Sequence, residues 1–389
     1  MPITRAALLA ALVVGGCSAP SGKPSGKPSG KPSGNWVVPA THRPSPSASA
    51  TPGPAADSVA LSATGDIILG SAPAALPPAD GRDFFTAVRD ALRADVQMGN
   101  LEEPLTTDTG VVKCAKPSPS PVPSPSPSPT GKPDCFAFRA PPGYARLLGD
   151  AGFTVMNLAN NHAYDFGADG NRQTRAALDA AGVRHTGAPG QITVVPAGAL
   201  RVAVLGFAPY SWAQSLLDLD AAAALVRRAR TQADLVVVQM HVGGEGADHT
   251  HVKPGTETYL GENRGDPVRF AHAVVDAGAD LVVGHGPHVL RAMEFYRGRL
   301  IAYSMGNFAG YRSLAYTGVV GIGAILHVNL HRDGTWAGGR LVATHLVAPG
   351  LPAIDRTGQA YATVRTLSAA DLPSTAARVA PDGTVTPPT

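Results

Sequence analysis

The densest group of chemically reactive side chains in the sequence follows the apolar run 153–156. Within six positions it contains two amides, an imidazole and a carboxylate: Asn160, Asn161, His162 and Asp165. The apolar run is typical of a buried strand, and the pattern from 169 to 181 predicts a helix. In open α/β sheets, ligands bind at the carboxyl ends of strands, because the loops converge there. The group therefore predicts part of a binding or catalytic site.

Five other apolar runs also end in side chains that can bind ligands. Asp66 follows the run 59–63, Asn100 and Glu102 follow 96–98, His241 and Glu245 follow 235–240, His285 and His288 follow 281–283, and Asn307 follows 300–305. Random placement of scarce His and Asn would rarely produce this pattern. Because the carboxyl ends of parallel strands meet at one edge of a sheet, we expect these side chains to surround a single pocket.

Carboxylate, amide and imidazole groups together favour a borderline divalent metal such as Mn, Zn or Fe. We expect Asp66 and Glu102 to be anionic ligands, joined by four neutral ones: Asn161, His241, His285 and His288. One or two ions at such a site would activate water and neutralise a phosphoryl group. The absence of thiolates from the group argues against a closed structural zinc site. The alternative, that each polar residue only caps a helix or a turn, stays open for Asp66 and Asn100 taken singly.

His162 has two interpretations. As a neighbour of Asn161 it would donate a proton to a leaving group or stabilise an oxyanion, with Asp165 orienting its ring. Alternatively, it is a loop histidine that bonds to the backbone. Two further histidines, His249 and His251, lie in a predicted insertion, where we favour solvent-exposed side chains over metal ligands.

The beginning of the 389-residue chain has the features of an export signal. Residues 1–17 combine one basic residue, an apolar run too short to span a bilayer, and small residues before Cys17. The last four of these positions resemble the bacterial lipobox, in which the cysteine is lipidated; the alternative is a signal peptide that ends in a chance cysteine. Residues 18–57 are rich in Ser, Pro, Gly and Lys and predict a disordered tether.

The net charge of +3 belongs to this beginning of the chain, because residues 1–57 hold five of the 32 basic residues and one of the 29 acidic ones. The remainder is close to neutral, so the composition gives no sign of a nucleic-acid groove. A basic tether is suited to rest on an anionic lipid or polymer.

Two further cysteines, Cys114 and Cys135, flank a Pro- and Ser-rich excursion at 116–133. In an exported protein this arrangement predicts a disulfide that closes the base of the excursion. A metal site or a catalytic thiol is the weaker alternative, because neither cysteine has a CxxC partner or a nearby histidine.

Strand-like and helix-like segments alternate from residue 58 and then become β-rich towards residue 350, which predicts one α/β domain with an added antiparallel layer. The predicted helices are 83–94, 142–151, 169–181, 218–231 and 266–277. Asp333 and Gly334 predict the turn of a hairpin. Residues 351–389 hold one apolar segment and a Pro- and Gly-rich ending, so we expect a loosely attached C-terminal tail.

The ordered set of motifs resembles the CapA-like proteins of bacterial poly-γ-glutamate capsule biosynthesis. The matching pieces are Gly65-Asp66, Gly99-Asn100-Leu101-Glu102, Phe138-Arg139-Ala140-Pro141-Pro142, Asn160-Asn161-His162, His241 to Glu245, Asp276 to His288, and Ser304 to Phe308. The resemblance implies a four-layer α/β/β/α metallophosphatase-like sandwich with mixed sheets over residues 58–350. The wider metallophosphatase pattern has a histidine where this chain has Ile68, so the number of ions stays open at one or two.

The resemblance also implies a function and a location. We expect an exported, lipid-anchored accessory protein on the extracellular face of the cell membrane, acting with a synthase or export complex in the synthesis, export or attachment of poly-γ-glutamate or a similar anionic polymer. We expect four further residues to bind the substrate: Asn100, Arg139, Glu245 and Asn307. The alternative is a metal-dependent phosphoesterase or related hydrolase at the cell envelope, and a purely adhesive surface domain would require an inert site.

Overall fold

The computed structural model describes residues 57–114 and 135–389. The predicted signal peptide at 1–17, the tether at 18–57 apart from its last residue, and the excursion at 116–133 lie outside the described residues. Within the described ranges the chain forms six α-helices: α1 Arg89–Leu92, α2 Ala145–Ala151, α3 Gly167–Ala180, α4 Leu219–Arg230, α5 Pro267–Asp276 and α6 Gln359–Asp371. None of these helices is long and apolar enough to cross a membrane.

The same ranges contain eighteen strands. They are β1 Ser58–Ile68, β2 Val96–Leu101, β3 Val155–Asn157, β4 Arg184–Thr186, β5 Thr193–Ala197, β6 Leu200–Phe207, β7 Leu235–His241, β8 Thr258–Tyr259, β9 Glu262–Asn263, β10 Leu281–His285, β11 Met293–Tyr296, β12 Arg299–Ala302, β13 Asn307–Gly310, β14 Ile322–His331, β15 Trp336–Val347, β16 Leu351–Ile354, β17 Arg378–Val379 and β18 Thr384–Thr386.

Most of the strands form two mixed sheets. The first has the order β17-β18-β15-β14-β1-β2-β3-β4, with β13 beside β1 and β16 beside β15; the second has the order β11-β12-β10-β7-β6-β5. The strands that end at the predicted site are parallel to one another within each sheet: β1, β2 and β3 in the first sheet, and β7 and β10 in the second. Their carboxyl ends therefore meet at a common edge.

The two sheets and the helices form four layers. One apolar core lies between the sheets, where Leu61 and Met98 of the first sheet pack with Val237 and Val283 of the second. A second core joins the outer face of the second sheet to α4 and α5, and a third joins the outer face of the first sheet to α2 and α3. This arrangement is the α/β/β/α sandwich with mixed sheets that the resemblance implied.

The helices that carry a clear apolar face form as predicted. The side chains of Asp218 and Asp266 accept hydrogen bonds from backbone N–H groups at the first turns of α4 and α5, which satisfies donors that a helix leaves free. The predicted helix at 83–94 is wrong in extent, because only Arg89–Leu92 is α-helical. Short turns before it bury both Phe84 and Phe85.

The C-terminal segment differs from the expectation of a loosely attached tail. Residues 351–389 supply β16, β17 and β18 to the first sheet, and α6 buries Ala360 and Val364 in the core between the sheets. The segment is therefore part of the domain. Its apolar residues lie on short strands and one helix, so they leave no long apolar run in the sequence.

Candidate metal centre between the two sheets

Four buried side chains from four strand ends meet between the sheets. Asp66 of β1 lies beside Asn100 of β2 in the first sheet, and His241 of β7 lies beside His285 of β10 in the second. All four are fully buried. The parallel register of each strand pair therefore places the predicted ligands side by side, as the sequence pattern suggested.

Asp66, Glu102 and His288 form the tightest group. Their nearest ligand atoms all lie within 4.8 Å of one another. The Nδ1 atom of His288 lies 3.2 Å from Asp66 Oδ2, and its Nε2 atom lies 3.6 Å from Glu102 Oε1. Such convergence of two carboxylates and an imidazole is the donor set that a divalent metal such as Mn, Zn or Fe prefers.

His241 and His285 border the same group. The Nε2 atom of His241 lies 3.8 Å from Glu102 Oε1, and the Nδ1 atom of His285 lies 3.7 Å from Asp66 Oδ1. The Nε2–H of His285 donates to Gln239 Oε1 at 3.1 Å, which leaves the lone pair of Nδ1 facing the Asp66 carboxylate. An imidazole fixed in this way by an outer hydrogen bond is the usual form of a metal-binding histidine.

Three buried polar atoms of the site show whether its residues suit a metal. Glu102 Oε1, His241 Nε2 and His285 Nδ1 are buried, and none has a hydrogen-bond partner in the part of the chain that the structure describes. A buried polar atom without a partner carries a desolvation cost of about 1–3 kcal/mol. A cation held between these atoms and Asp66 would satisfy all of them, so the residues present fit a divalent metal.

The pKa values of Asp66, His241 and His285 are shifted by burial and by the charges of neighbouring side chains. Burial acts to raise the pKa of Asp66, but the hydrogen bond and charge of His288 and the neighbouring His285 and His241 outweigh it and lower that pKa. Burial lowers the pKa of His285 to about 4 and that of His241 well below its usual value, so both are neutral at pH 7. Neutral imidazoles are the form that binds metal.

The pKa values of Glu102 and His288 move upward. Burial, helped by the charge of Asp66, raises the pKa of Glu102 well above its ordinary value. Burial acts to lower the pKa of His288, but Glu102 and Asp66 outweigh it and raise that pKa. The two carboxylates therefore draw positive charge to the space between the sheets.

Asn100 and Asn307 lie behind the candidate ligands and not on a substrate face, which differs from the expectation. The amide of Asn100 donates to Asp66 Oδ1 at 2.8 Å, while its Oδ1 accepts from Asn157 and Asn160. Asn307 Oδ1 lies 2.8 Å from His288 Nδ1, and its amide donates to the Val320 carbonyl. Both side chains therefore orient a ligand.

His162 and Asp165 form a buried pair. His162 Nδ1 lies 2.7 Å from Asp165 Oδ2, and the Phe138 ring lies 4.7 Å from the imidazole. The backbone N–H groups of Lys113 and Phe138 donate to the Asp165 carbonyl and to its carboxylate, respectively. A carboxylate on Nδ1 is the arrangement that orients a proton-transferring histidine.

The predicted disulfide forms between Cys114 and Cys135. Its two half-cystines lie close in sequence to the residues that contact Asp165: Lys113 directly precedes Cys114, and Phe138 lies three residues after Cys135. The covalent link therefore ties together the two segments that hold the His162–Asp165 pair.

Glu245 connects the His162 region to the metal group. Its Oε1 accepts from Asn161 Nδ2 at 3.1 Å, and its Oε2 lies 3.8 Å from His288 Nε2. Asn161 is buried, and its Oδ1 has no hydrogen-bond partner among the described residues. Asn161 is thus next to the candidate ligands, and its free oxygen suits the predicted ligand role.

Arg264 was missed by the sequence analysis. Its guanidinium, almost fully buried, pairs with Glu245 at 2.7 Å and lies 5.8 and 5.3 Å from the ring centroids of Tyr210 and Tyr259. It follows the 246–263 insertion and no motif surrounds it, so only the folded chain reveals that it fixes Glu245.

Three other predicted or considered residues lie apart from the metal group. Arg139 lies over the Phe166 ring at 5.3 Å and 3.8 Å from Asp108, so its contacts indicate packing and not substrate binding. His251 pairs with Asp371 at 2.7 Å, and the ring of His249 packs edge-on against Tyr259. These contacts agree with the preference against metal ligands in the insertion.

The four layers and the buried carboxylates and imidazoles at the strand ends define an α/β/β/α sandwich with mixed sheets and a candidate divalent metal centre. The chain belongs to the family described as bacterial capsule synthesis protein PGA_cap, whose model matches residues 60–311.

Relatives of known name are similar over part of their length. The PGA biosynthesis protein CapA of Bacillus subtilis (strain 168) is 30% identical over 271 residues, which cover 65% of this chain and 63% of the relative. The capsule biosynthesis protein CapA of Bacillus anthracis is 35% identical over 185 residues, covering 42% and 41%. The chain therefore spans about three fifths of the first relative and two fifths of the second.

Among solved structures, a 5'-nucleotidase precursor from Thermus thermophilus is similar with a TM-score of 0.41 and 14% identity, over 74% of this chain and 54% of that one.

Proposed function

We propose that this protein acts at the cell envelope in the synthesis, export or attachment of an anionic capsule polymer of the poly-γ-glutamate kind. Membership of the capsule synthesis family and the names of the two CapA relatives support this proposal. The N-terminal sequence supports a lipid anchor at Cys17 on the extracellular face, with the tether holding the domain away from the membrane. A polymer synthase or export complex would be the partner.

We further propose that the described domain is a metal-dependent hydrolase. The observation that carries this proposal is the convergence of Asp66, Glu102 and His288 within 4.8 Å, bordered by buried imidazole and carboxylate atoms without partners among the described residues. Asp66, Glu102, His241, His285 and His288 would hold the ion, with Asn161 beside them. When bound, a Mn, Zn or Fe ion would lower the pKa of water and neutralise charge on the bond being cut.

The protein's own residues supply the remaining parts of the reaction. The Nδ1–H of His162 donates to Asp165, so Nε2 is the atom that would give a proton to the leaving group. Burial of both side chains keeps water from competing for that proton. Asn100 and Asn307 orient Asp66 and His288, and Arg264 holds Glu245 next to them.

Metal content and turnover test the hydrolase proposal together. Purified wild-type protein, His285→Ala and the control His331→Ala would be analysed for bound metal and assayed with a chromogenic phosphodiester. His331 is exposed on β14, so its loss removes an imidazole outside the site. Bound metal and turnover in the wild type and the control, with turnover lost in His285→Ala, support the hydrolase. No metal and no turnover in the wild type would leave only an accessory role.

The envelope role has a separate test. A strain lacking the gene would be complemented with the wild type, with Cys17→Ala or with His285→Ala, and the surface polymer and the membrane fraction would be measured. We expect the Cys17→Ala protein to be lost from the membrane fraction, because lipidation of Cys17 would supply the anchor. Unchanged polymer in the deletion strain would contradict the capsule role.

A further inference from the structure

One cavity lies near the candidate metal centre, and a second cavity shares Trp212 with the first. The proximal cavity, of about 380 Å³, is lined by Asn161, Lys113, Tyr210 and Trp212 among others. The distal cavity, of about 180 Å³, is lined by Tyr164, Arg175, the end of β4 and again Trp212. The proximal cavity is connected to the metal group through two contacts, because Asn161 bonds to Glu245 and Glu245 adjoins His288.

Trp212 is the common wall of the two cavities. Its indole is stacked between Tyr164 and Tyr210, with ring centroids 5.2 and 4.9 Å away. Its Nε1–H donates to the Asn160 carbonyl at 3.1 Å, which fixes the ring next to the metal group. A fixed ring between two cavities gives a path along which an elongated molecule could extend from the metal centre.

Among the described residues, the lining of the distal cavity includes an arginine and no acidic side chain. The arginine, Arg175, is half-buried. Among the described residues the Arg175 side chain has no hydrogen bond and no ion pair, whereas Arg172, one turn earlier on α3, pairs with Asp169. A half-buried guanidinium without an acidic partner favours an anionic ligand, since its planar donors match a carboxylate.

We propose that the distal cavity is a substrate subsite, in which Arg175 binds a carboxylate of an elongated anionic chain whose neighbouring segment lies in the proximal cavity. The inference rests on the proposed function, because it names the substrate class of that same site: a flexible chain with repeated carboxylates. Tyr164 and Trp212 offer apolar surface to the methylene groups between them. Among its described lining residues, the proximal cavity carries one cation, Lys113, which lies 3.5 Å from Asp165, and one carboxylate, Glu262, which is already paired with Arg264.

Binding of a labelled γ-glutamate oligomer to the full-length protein tests the proposal by fluorescence anisotropy. The matched ligand is the same oligomer with its carboxylates amidated, and the matched variants are Arg175→Gln and Arg172→Gln. Both variants remove one positive charge from α3, but only Arg175 lines the cavity. We expect Arg175→Gln to weaken binding by about fivefold, Arg172→Gln to leave it unchanged, and the amidated oligomer to bind poorly to the wild type.

Equal affinities of the two variants would overturn the subsite, and so would equal binding of the acidic and amidated oligomers. Failure of the wild type to bind the acidic oligomer would overturn the substrate class. Anisotropy measured with EDTA present reports binding without turnover. Metal content measured on the same preparations shows whether the metal centre has formed, so a failure of the subsite can be distinguished from a failure of the centre. Trp212→Phe, which keeps an aromatic wall, should retain most of the affinity.

Discussion

The Nδ1 atom of His288 lies 3.2 Å from Oδ2 of Asp66, although Asp66 is in a strand of the first sheet and His288 follows a strand of the second. Asp66 is part of β1, and His288 lies in the loop that follows β10. His288 has a backbone φ of +59°, a conformation that histidine adopts more readily than most residues. The contact shows that the metal centre exists only once both sheets have packed face to face.

Arg264 and Glu245 should be energetically coupled. Removing either partner leaves a buried charge with less compensation, since only Glu262 would remain beside Arg264, so Arg264→Gln and Glu245→Gln should each destabilise the fold. The double variant should lose less than their sum. We expect a coupling of about 1–3 kcal/mol from a double-mutant cycle in urea unfolding. Additive effects would show that the 2.7 Å pair has no energetic role.

The C-terminal segment should contribute to stability as a core element. Val364→Ala in α6 removes two buried methyl groups and should lower the free energy of unfolding by about 1–3 kcal/mol. Val111→Ala is the matched control, because Val111 is 58% exposed and should change stability by less than about 0.5 kcal/mol. Equal values in thermal or urea unfolding would indicate that α6 is detached in solution.

Acid should destabilise the protein partly through Glu294. Burial acts to raise the pKa of this carboxyl, but hydrogen bonds with His272, Thr375 and Tyr303 outweigh it and lower the pKa below 4.5. The folded-state pKa is depressed, so the stabilisation is present above pH 4.5 and is lost as the pH falls through the folded value.

Glu294→Gln should remove this part of the acid sensitivity, and urea unfolding at several pH values would measure it. At neutral pH the variant should be less stable than the wild type, and the difference should shrink towards low pH. A constant difference across the acid range would contradict the role of the Glu294 carboxylate.

Loss of the disulfide should destabilise the domain by about 3 kcal/mol, because Cys114 and Cys135 are 21 residues apart and the link restricts the unfolded chain. The measurement is urea unfolding of the Cys114→Ser/Cys135→Ser variant, compared with the wild type under oxidising conditions. If the double variant is as stable as the wild type, the excursion needs no closure at its base.

Much of the site could be predicted from the sequence because strands have a simple relation to it. Polar residues that directly follow buried apolar runs must lie at the strand ends, and parallel pairing then places Asp66 beside Asn100 and His285 beside His241. The helices α4 and α5 could be predicted for the same kind of local reason, since an apolar face and an aspartate cap are both visible in the sequence.

The remaining features depend on contacts between distant segments. Arg264 acquires its role only when folding places Glu245 next to it, and Arg264 itself lies in no sequence motif. Asn100 and Asn307 look like substrate ligands in the sequence, but burial and their hydrogen bonds turn them towards Asp66 and His288. The short strands β17 and β18 depend on long-range pairing, since β18 pairs with β15 and β17 pairs with β18.

Metal affinity is the most direct test of the centre between the sheets. Equilibrium dialysis of the purified protein against Mn²⁺ or Zn²⁺ would compare the wild type with Asp66→Asn, which keeps the side-chain size, and with Asp90→Asn, an exposed control. We expect Asp66→Asn to weaken metal binding by at least about tenfold, with folding checked by circular dichroism, and the control to bind like the wild type. Equal metal binding by the wild type and Asp66→Asn would contradict a metal centre built on Asp66, Glu102 and His288.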